Sequence, residues 1–145
     1  MHGQPQTPRQ SKREAQFIKN MGAFMRRDFT AFDDTMRSDV VMELPGSSWL
    51  AGIYSGYEDV SNCIIGLRQV LNSEQKRISF LHEGDQMIVR HDIMVHGPTH
   101  EVEMTLRVKV RFDEEDRAKT ISVGPDDLGL FDHVLNTRMR NQASA

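Results

Sequence analysis

The chain has 145 residues, 38% of them apolar and 27% charged, with a formal net charge of −3 and a sequence pI near 6.0. One domain of this size buries roughly two thirds of its unfolded surface, enough for a real core. The slight acidity gives no electrostatic reason to expect nucleic acid or an anionic membrane as partner. Cys63 is the single cysteine, which excludes an intrachain disulfide and suggests a reducing compartment.

Residues 1–11 read as a flexible polar tail without the apolar centre of a signal peptide, and no apolar run approaches the ~18 residues of a membrane helix. A cytoplasmic location is expected. A single domain over 12–140 and a tail over 141–145 complete the expected organisation. Ser11-Lys12-Arg13-Glu14 has the form of a capping box, and Phe17, Met21, Phe24 and Met25 then recur at helical spacing. Asp28 can cap a second short helix carrying Phe29, Phe32 and Met36. Asp39 to Leu44 is strand-like and is stopped by Pro45-Gly46. The glycine-punctuated stretch from Pro45 to Gly56 reads as a loop or irregular hairpin holding Trp49 and Tyr54.

Ser55-Gly56-Tyr57-Glu58 offers another capping box, opening a helix whose Val60, Cys63, Ile64, Leu67 and Leu71 share one side. Strands are predicted over 76–82, 87–96, 101–112 and 118–123, with a closing helix from Asp126 to Thr137. Residues 101–112 alternate strictly: Val102, Met104, Leu106, Val108, Val110 and Phe112 against charged and hydroxyl side chains. Helices segregated from an antiparallel meander mean α+β, a bent sheet closed by helices around a hollow.

That element order, with Leu44-Pro45-Gly46-Ser47 closing the first strand and Ala51-Gly52-Ile53-Tyr54-Ser55-Gly56-Tyr57-Glu58-Asp59-Val60 opening the third helix, resembles the NTF2-like superfamily in its SnoaL-like branch. The resemblance covers about residues 12 to 137. It implies a cone with an apolar pocket for a hydrophobic small molecule, a homodimer formed through the outer sheet face, and no cofactor. It specifies fold better than chemistry, because this superfold hosts several reaction types and non-enzymes alike.

Ketosteroid isomerases of this superfamily use a tyrosine in the N-terminal helices and a carboxylic acid on a late strand. Here the tyrosines are Tyr54 and Tyr57, and Val108 stands where the acid would be. Limonene-epoxide-hydrolase-like members carry an Arg-x-Asp pair on a middle strand, which Arg90 and Asp92 match. Two residues apart on a strand, both side chains leave one face, so the guanidinium can orient the carboxyl group. The chain departs from those hydrolases at Gly124, Val41 and Glu43, where their second aspartate and Tyr/Asn pair would lie; Glu43, Asp126 or Asp127 are the possible substitutes.

Register decides which face the pair occupies. If His96 and His100 flank a three-residue loop, Asp92 lies opposite Met104 and Arg90 opposite Leu106, facing the interior. If Pro98-Thr99 forms a two-residue loop, the pair joins Arg107 and Thr105 on the wet face, and Val89, Ile93 and Val95 turn inward. Hydrophobic patterning favours the second; the resemblance favours the first, which is the expectation adopted.

The expected function is therefore a cofactor-independent hydrolase, isomerase or cyclase using general acid–base chemistry on a hydrophobic oxygenated molecule. Arg90 and Asp92 are the expected catalytic pair, with Glu43 or His82 as second base. Met42, Met94, Met104, Leu106 and Val108 would shape the pocket, with Trp49 and Tyr54 at its mouth. The rival class is a non-catalytic binding or dimerisation module. His91, His96 and His100 lack the spacing of a metal site, and none is expected. Cys63, on an apolar helix face, reads as core.

Overall fold

The computed structural model describes residues 6–26, 28, 30, 34–96 and 100–144. Its elements run α1 (Pro8–Met25), β1 (Met36–Leu44), β2 (Gly52–Ser55), α2 (Tyr57–Leu71), β3 (Ser73–Glu83), β4 (Gln86–His96), β5 (Glu101–Phe112), β6 (Ala118–Pro125) and α3 (Leu128–Ser144). The six strands form one sheet in the order β2-β1-β6-β5-β4-β3.

The meander from β3 to β6 is antiparallel as expected, but the sheet as a whole is mixed, because β1 runs parallel to β6 and pairs Met42 with Ile121. The stretch after Pro45 supplies a short edge strand, β2, paired antiparallel with β1 through Met42 and Tyr54. Met36 opens β1 rather than ending a helix. Phe29 and Phe32, expected on that helix, lie outside the described residues.

Both expected capping boxes fail for local reasons. α1 starts at Pro8, so residues 8–11 belong to a helix and not to a tail. Thr7 Oγ1 accepts from Gln10 N at 3.1 Å while Gln10 Oε1 accepts from Thr7 N at 3.0 Å. That is the same reciprocal cap, four residues earlier, with proline at the first helical position where its missing N–H costs nothing. At α2 the N-cap is Gly56, with φ 94 and no side-chain cap, and Glu58 and Asp59 complement the helix dipole instead. Asn72 ends α2 in the left-handed conformation. α3 extends to Ser144, beyond the expected end at Thr137 and through most of the anticipated C-terminal tail.

The core lies between the inner sheet face and the helices. Val40, Met42, Leu44, Met87, Val89 and Val95 from the sheet meet Val60 and Cys63 of α2 and Phe131 and Leu135 of α3, all buried. Burial of side chains of this size stabilises by about 1.5–3 kcal/mol each. The outer face carries Arg90, Arg107, Lys109 and Arg111.

The loop between β1 and β2 is pinned to α3. Ser47 N donates to Asp132 Oδ2 at 3.0 Å, and Trp49 N to Asn136 Oδ1 at 3.3 Å. Gly46, at φ 104, packs so closely on Asp132 that a β-carbon there would sit 2.2 Å from Oδ1. Only glycine fits.

Candidate functional site

Register settles the question of faces. β4 and β5 pair Arg90 with Arg107, Asp92 with Thr105, and His96 with Glu101. This is the pairing expected from a two-residue Pro98-Thr99 tip, although residues 97–99 themselves are outside the described set. Directly opposed residues share a face. The adopted inward expectation for Arg90 and Asp92 is therefore overturned: the pair lies on the outer face. The alternation of apolar and polar residues on both strands prevailed, since the opposite register would have turned Val89, Ile93 and Val95 into water.

Outside, Arg90 Nε lies 3.1 Å from Asp92 Oδ1, with the arginine side chain 46% exposed. Thr105 Oγ1 donates to the same carboxylate oxygen at 2.8 Å. These contacts hold the Asp92 carboxyl below the usual range, the threonine hydrogen bond contributing most. Such a group is ionised at neutral pH and is no acid. Arg90, Asp92 and Thr105 line a cleft of about 520 Å³, formed where β5 outruns β6, which also takes in Asp126 and Asp127 and the apolar Ile93, Met104 and Leu130. Arg107 and Asp126 form an ion pair beside it.

Two other expected site residues also leave the interior. Glu43 pairs with the 73% exposed Ile53 and with Ser122 on the outer face, beside a cleft of about 340 Å³. Met94 pairs with Glu103 and Glu74 on that face as well. Trp49 is 55% exposed on the loop against α3. His82 does face inward, opposite Met87, but its Nε2 is engaged by Glu14 of α1. Met42, Met104, Leu106 and Val108 point into the cone. Tyr54 turns inward too, its hydroxyl donating to the Leu50 carbonyl.

Among the described residues, His91 is a further polar group on the inner face. It shares the inner face of β4 with Val89 and Ile93, opposite Ile78 on β3 and Leu106 on β5. Its Nδ1 lies 2.9 Å from Gln75 Oε1, and an amide oxygen can only accept, so Nδ1 carries the proton and Nε2 the lone pair. Phe17 of α1 packs against the ring at 5.8 Å between centroids, and Phe17 meets Phe80 edge-on at 6.0 Å. Burial, and then the Arg68 guanidinium on α2, push the imidazole down to about 4, so it is neutral at pH 7. Burial also lowers Arg68.

Along β4 itself the inner face is filled on both sides of His91, with Met87, Val89 and Val95 fully enclosed. Toward β3, Ile78, Phe80 and His91 are only partly covered. Phe17 of α1 lies over the last two of these. Sequence analysis missed His91, although the parity that it shares with Val89 and Ile93 was a usable signal once the odd register was considered.

Among the described residues no cluster of three His, Cys, Asp or Glu could hold a metal ion, and no helix is long and apolar enough to cross a membrane. No protein-family model matches the chain, and no curated protein matches it in sequence. Solved structures do match. An NTF2-like protein of unknown function from Burkholderia pseudomallei K96243 superposes with a TM-score of 0.68 at 19% identity, covering 85% of this chain and 96% of the other. The fold is NTF2-like.

Two further NTF2-like matches carry names with chemistry in them. A SnoaL-like protein from Jannaschia sp. CCS1, assigned as a polyketide cyclase, gives a TM-score of 0.70 at 11% identity, covering 92% of this chain and 98% of the other. A steroid delta-isomerase from Pseudomonas aeruginosa gives 0.65 at 18% identity, covering 97% and 98%. At these identities the likeness is one of NTF2-like architecture, the α+β cone that the residues around Pro45 and Gly56 led us to expect.

Proposed function

We propose that this protein binds a small hydrophobic molecule bearing oxygen, beside His91 where α1 crosses strands β3–β5. The observation that carries the reading is His91: one neutral imidazole held in a fixed tautomer by Gln75 among Phe17, Ile78, Phe80 and Leu106. A mostly apolar surface with an oriented polar group suits a ligand that is largely hydrocarbon and needs a fixed contact. Binding at the outer cleft is the competing location. A fragment screen followed by NMR on isotope-labelled protein tests this: resonances of His91, Phe80 and Leu106 move together. Shifts confined to Arg90, Asp92 and Asp126 would move the site outside.

A second reading, an acid–base enzyme of the hydrolase, isomerase or cyclase kind, draws support from the cyclase and isomerase names among the NTF2-like matches. In that reading His91, unprotonated at neutral pH, takes the role first expected of Arg90 and Asp92. Its low basicity makes it a weak base, which favours binding over turnover. A homodimer through the outer face is also proposed, since Leu81, Ile88, Met94 and Ile53 interrupt the charges there. Sedimentation velocity of the wild type and of Ile53→Lys reads this out.

A further inference from the structure

We infer that the outer cleft is a second binding site, separate from the inner one, and that it takes a free dipeptide with apolar side chains. Its lining is polarised. Lys76, Arg77 and Arg90 stand on the β3–β4 side, Glu103, Asp126 and Asp127 on β5 and at the entry to α3, and Ile93, Met104 and Leu130 complete it. Most of these charges are already matched. Arg90 holds Asp92 at 3.1 Å, Lys76 holds Glu74 at 3.3 Å, Arg107 holds Asp126, and Asp127 accepts the Leu130 N–H at 3.0 Å. Among the described residues, the Arg77 guanidinium and the Glu103 carboxylate have no hydrogen bond or ion pair. One cation and one anion are thus left for a ligand that carries both charges.

A β-bulge puts Arg77 there. Gln75 pairs with Ile93 and Arg77 with Asp92, so Lys76 is an extra residue on β3, and Arg77 turns to the outer face instead of sharing the inner one with Gln75. Glu103 lies on the same outer face, two residues from Thr105 on β5. Two strand spacings and two residues separate Arg77 from Glu103, about 12 Å between α-carbons. A hydrogen bond at each end leaves about 6 Å, close to two residues of extended chain. The edge of β5 also suits a peptide. β6 ends its pairing at Pro125, opposite Leu106, and Asp126 N takes the Thr105 carbonyl at 3.0 Å. Glu103 turns its own N–H and C=O to that same edge, where no described strand pairs with them, so a ligand peptide bond can. The apolar part of the lining meets its side chains.

Three matched probes test this by titration calorimetry: leucyl-leucine, N-acetyl-leucyl-leucine, which lacks the cation, and leucyl-leucinamide, which lacks the anion. Leucyl-leucine is expected to bind about tenfold tighter than either blocked form, the worth of one charge-assisted contact. Arg77→Gln should bring it down to the affinity of the amide, and Glu103→Gln to that of the acetyl form, each variant keeping the other preference. Both residues are exposed, so neither substitution disturbs the core. In ¹⁵N NMR spectra the Glu103 and Thr105 amides should move with leucyl-leucine and the His91 amide should not. Equal affinities of the three probes, a preference that survives its matching substitution, or absence of leucyl-leucine binding overturns the inference and leaves the inner-site reading untouched. Shifts confined to His91, Phe80 and Leu106 would put the dipeptide in the inner site and overturn the inference as well.

Discussion

His82 Nε2 stands 2.5 Å from Glu14 Oε2, joining β3 to α1, and the two side chains are 8% and 16% exposed. Beside this pair Arg13 reaches Asp116 and lies over the Phe112 ring at 4.4 Å, and Arg9 reaches the same aspartate. The first half of α1 is thus fastened by polar contacts, and Phe17 follows one turn later over His91. Removing the imidazole takes one of two side-chain partners from a largely enclosed carboxylate, leaving Gln6 Nε2 as the other. His82→Leu should lower stability by about 1–3 kcal/mol, measured by urea unfolding, with Glu14→Gln on the same background recovering part of the loss.

The His91 imidazole gives a pH signature with a definite sign. Its ordinary value is 6.5 and its folded value about 4. Between those limits the unfolded chain binds the extra proton and the folded chain does not, so acid favours unfolding. The contribution of the neutral ring is whole above pH 6.5, declines as pH falls toward 4, and changes no further below that. The melting temperature of the wild type should therefore fall more steeply from pH 6.5 to 4 than that of His91→Gln. Parallel curves would show that the ring is not held neutral.

Outside, the expectation is inverted. Asp92→Asn removes a carboxylate that meets water, Arg90 and Thr105, so affinity for an inner ligand should be unchanged when measured by titration. Thr105→Val deletes the largest influence on that carboxyl and should raise its pKa toward the usual aspartate value, followed by ¹³C NMR of the Asp92 side chain. A change in ligand affinity in either variant would relocate the site.

Gly46 makes a further demand. A methyl group there meets Asp132 Oδ1 on a backbone already at φ 104, so Gly46→Ala should cost about 1–3 kcal/mol. Asp132→Ala removes the clash but not the φ penalty, so a double-mutant cycle by thermal unfolding should show a favourable coupling between the two changes.

Much of this architecture was legible in the residues. The alternation from Val102 to Phe112 gave β5 and its inner face without ambiguity, because a strand with one wet side must sort its side chains. The cone was legible from the element order and from the turns at Pro45 and Gly56. β1 beside β6 was not, since pairing between distant strands leaves no local mark. The face of Arg90 and Asp92 was misread for a related reason. The Arg-x-Asp spacing at Arg90 and Asp92 says that two side chains share a face but not which one, and that choice depends on a turn many residues away. His91, between them, was weighed as a turn histidine for metal, whereas the structure turns it to the inner face.

The pairing of Met42 with Ile121 also bears on how the chain reaches this state. β3 to β6 are joined by short connections and can zip in succession, each strand on its predecessor. β1, made early during synthesis, must wait for β6 before its inner edge is paired, and β2 can only pair with β1. Long-range closure of this kind slows folding, so the nascent chain carries Val40, Met42 and Leu44 uncovered until nearly all of it has emerged, and that interval is when it is most open to aggregation.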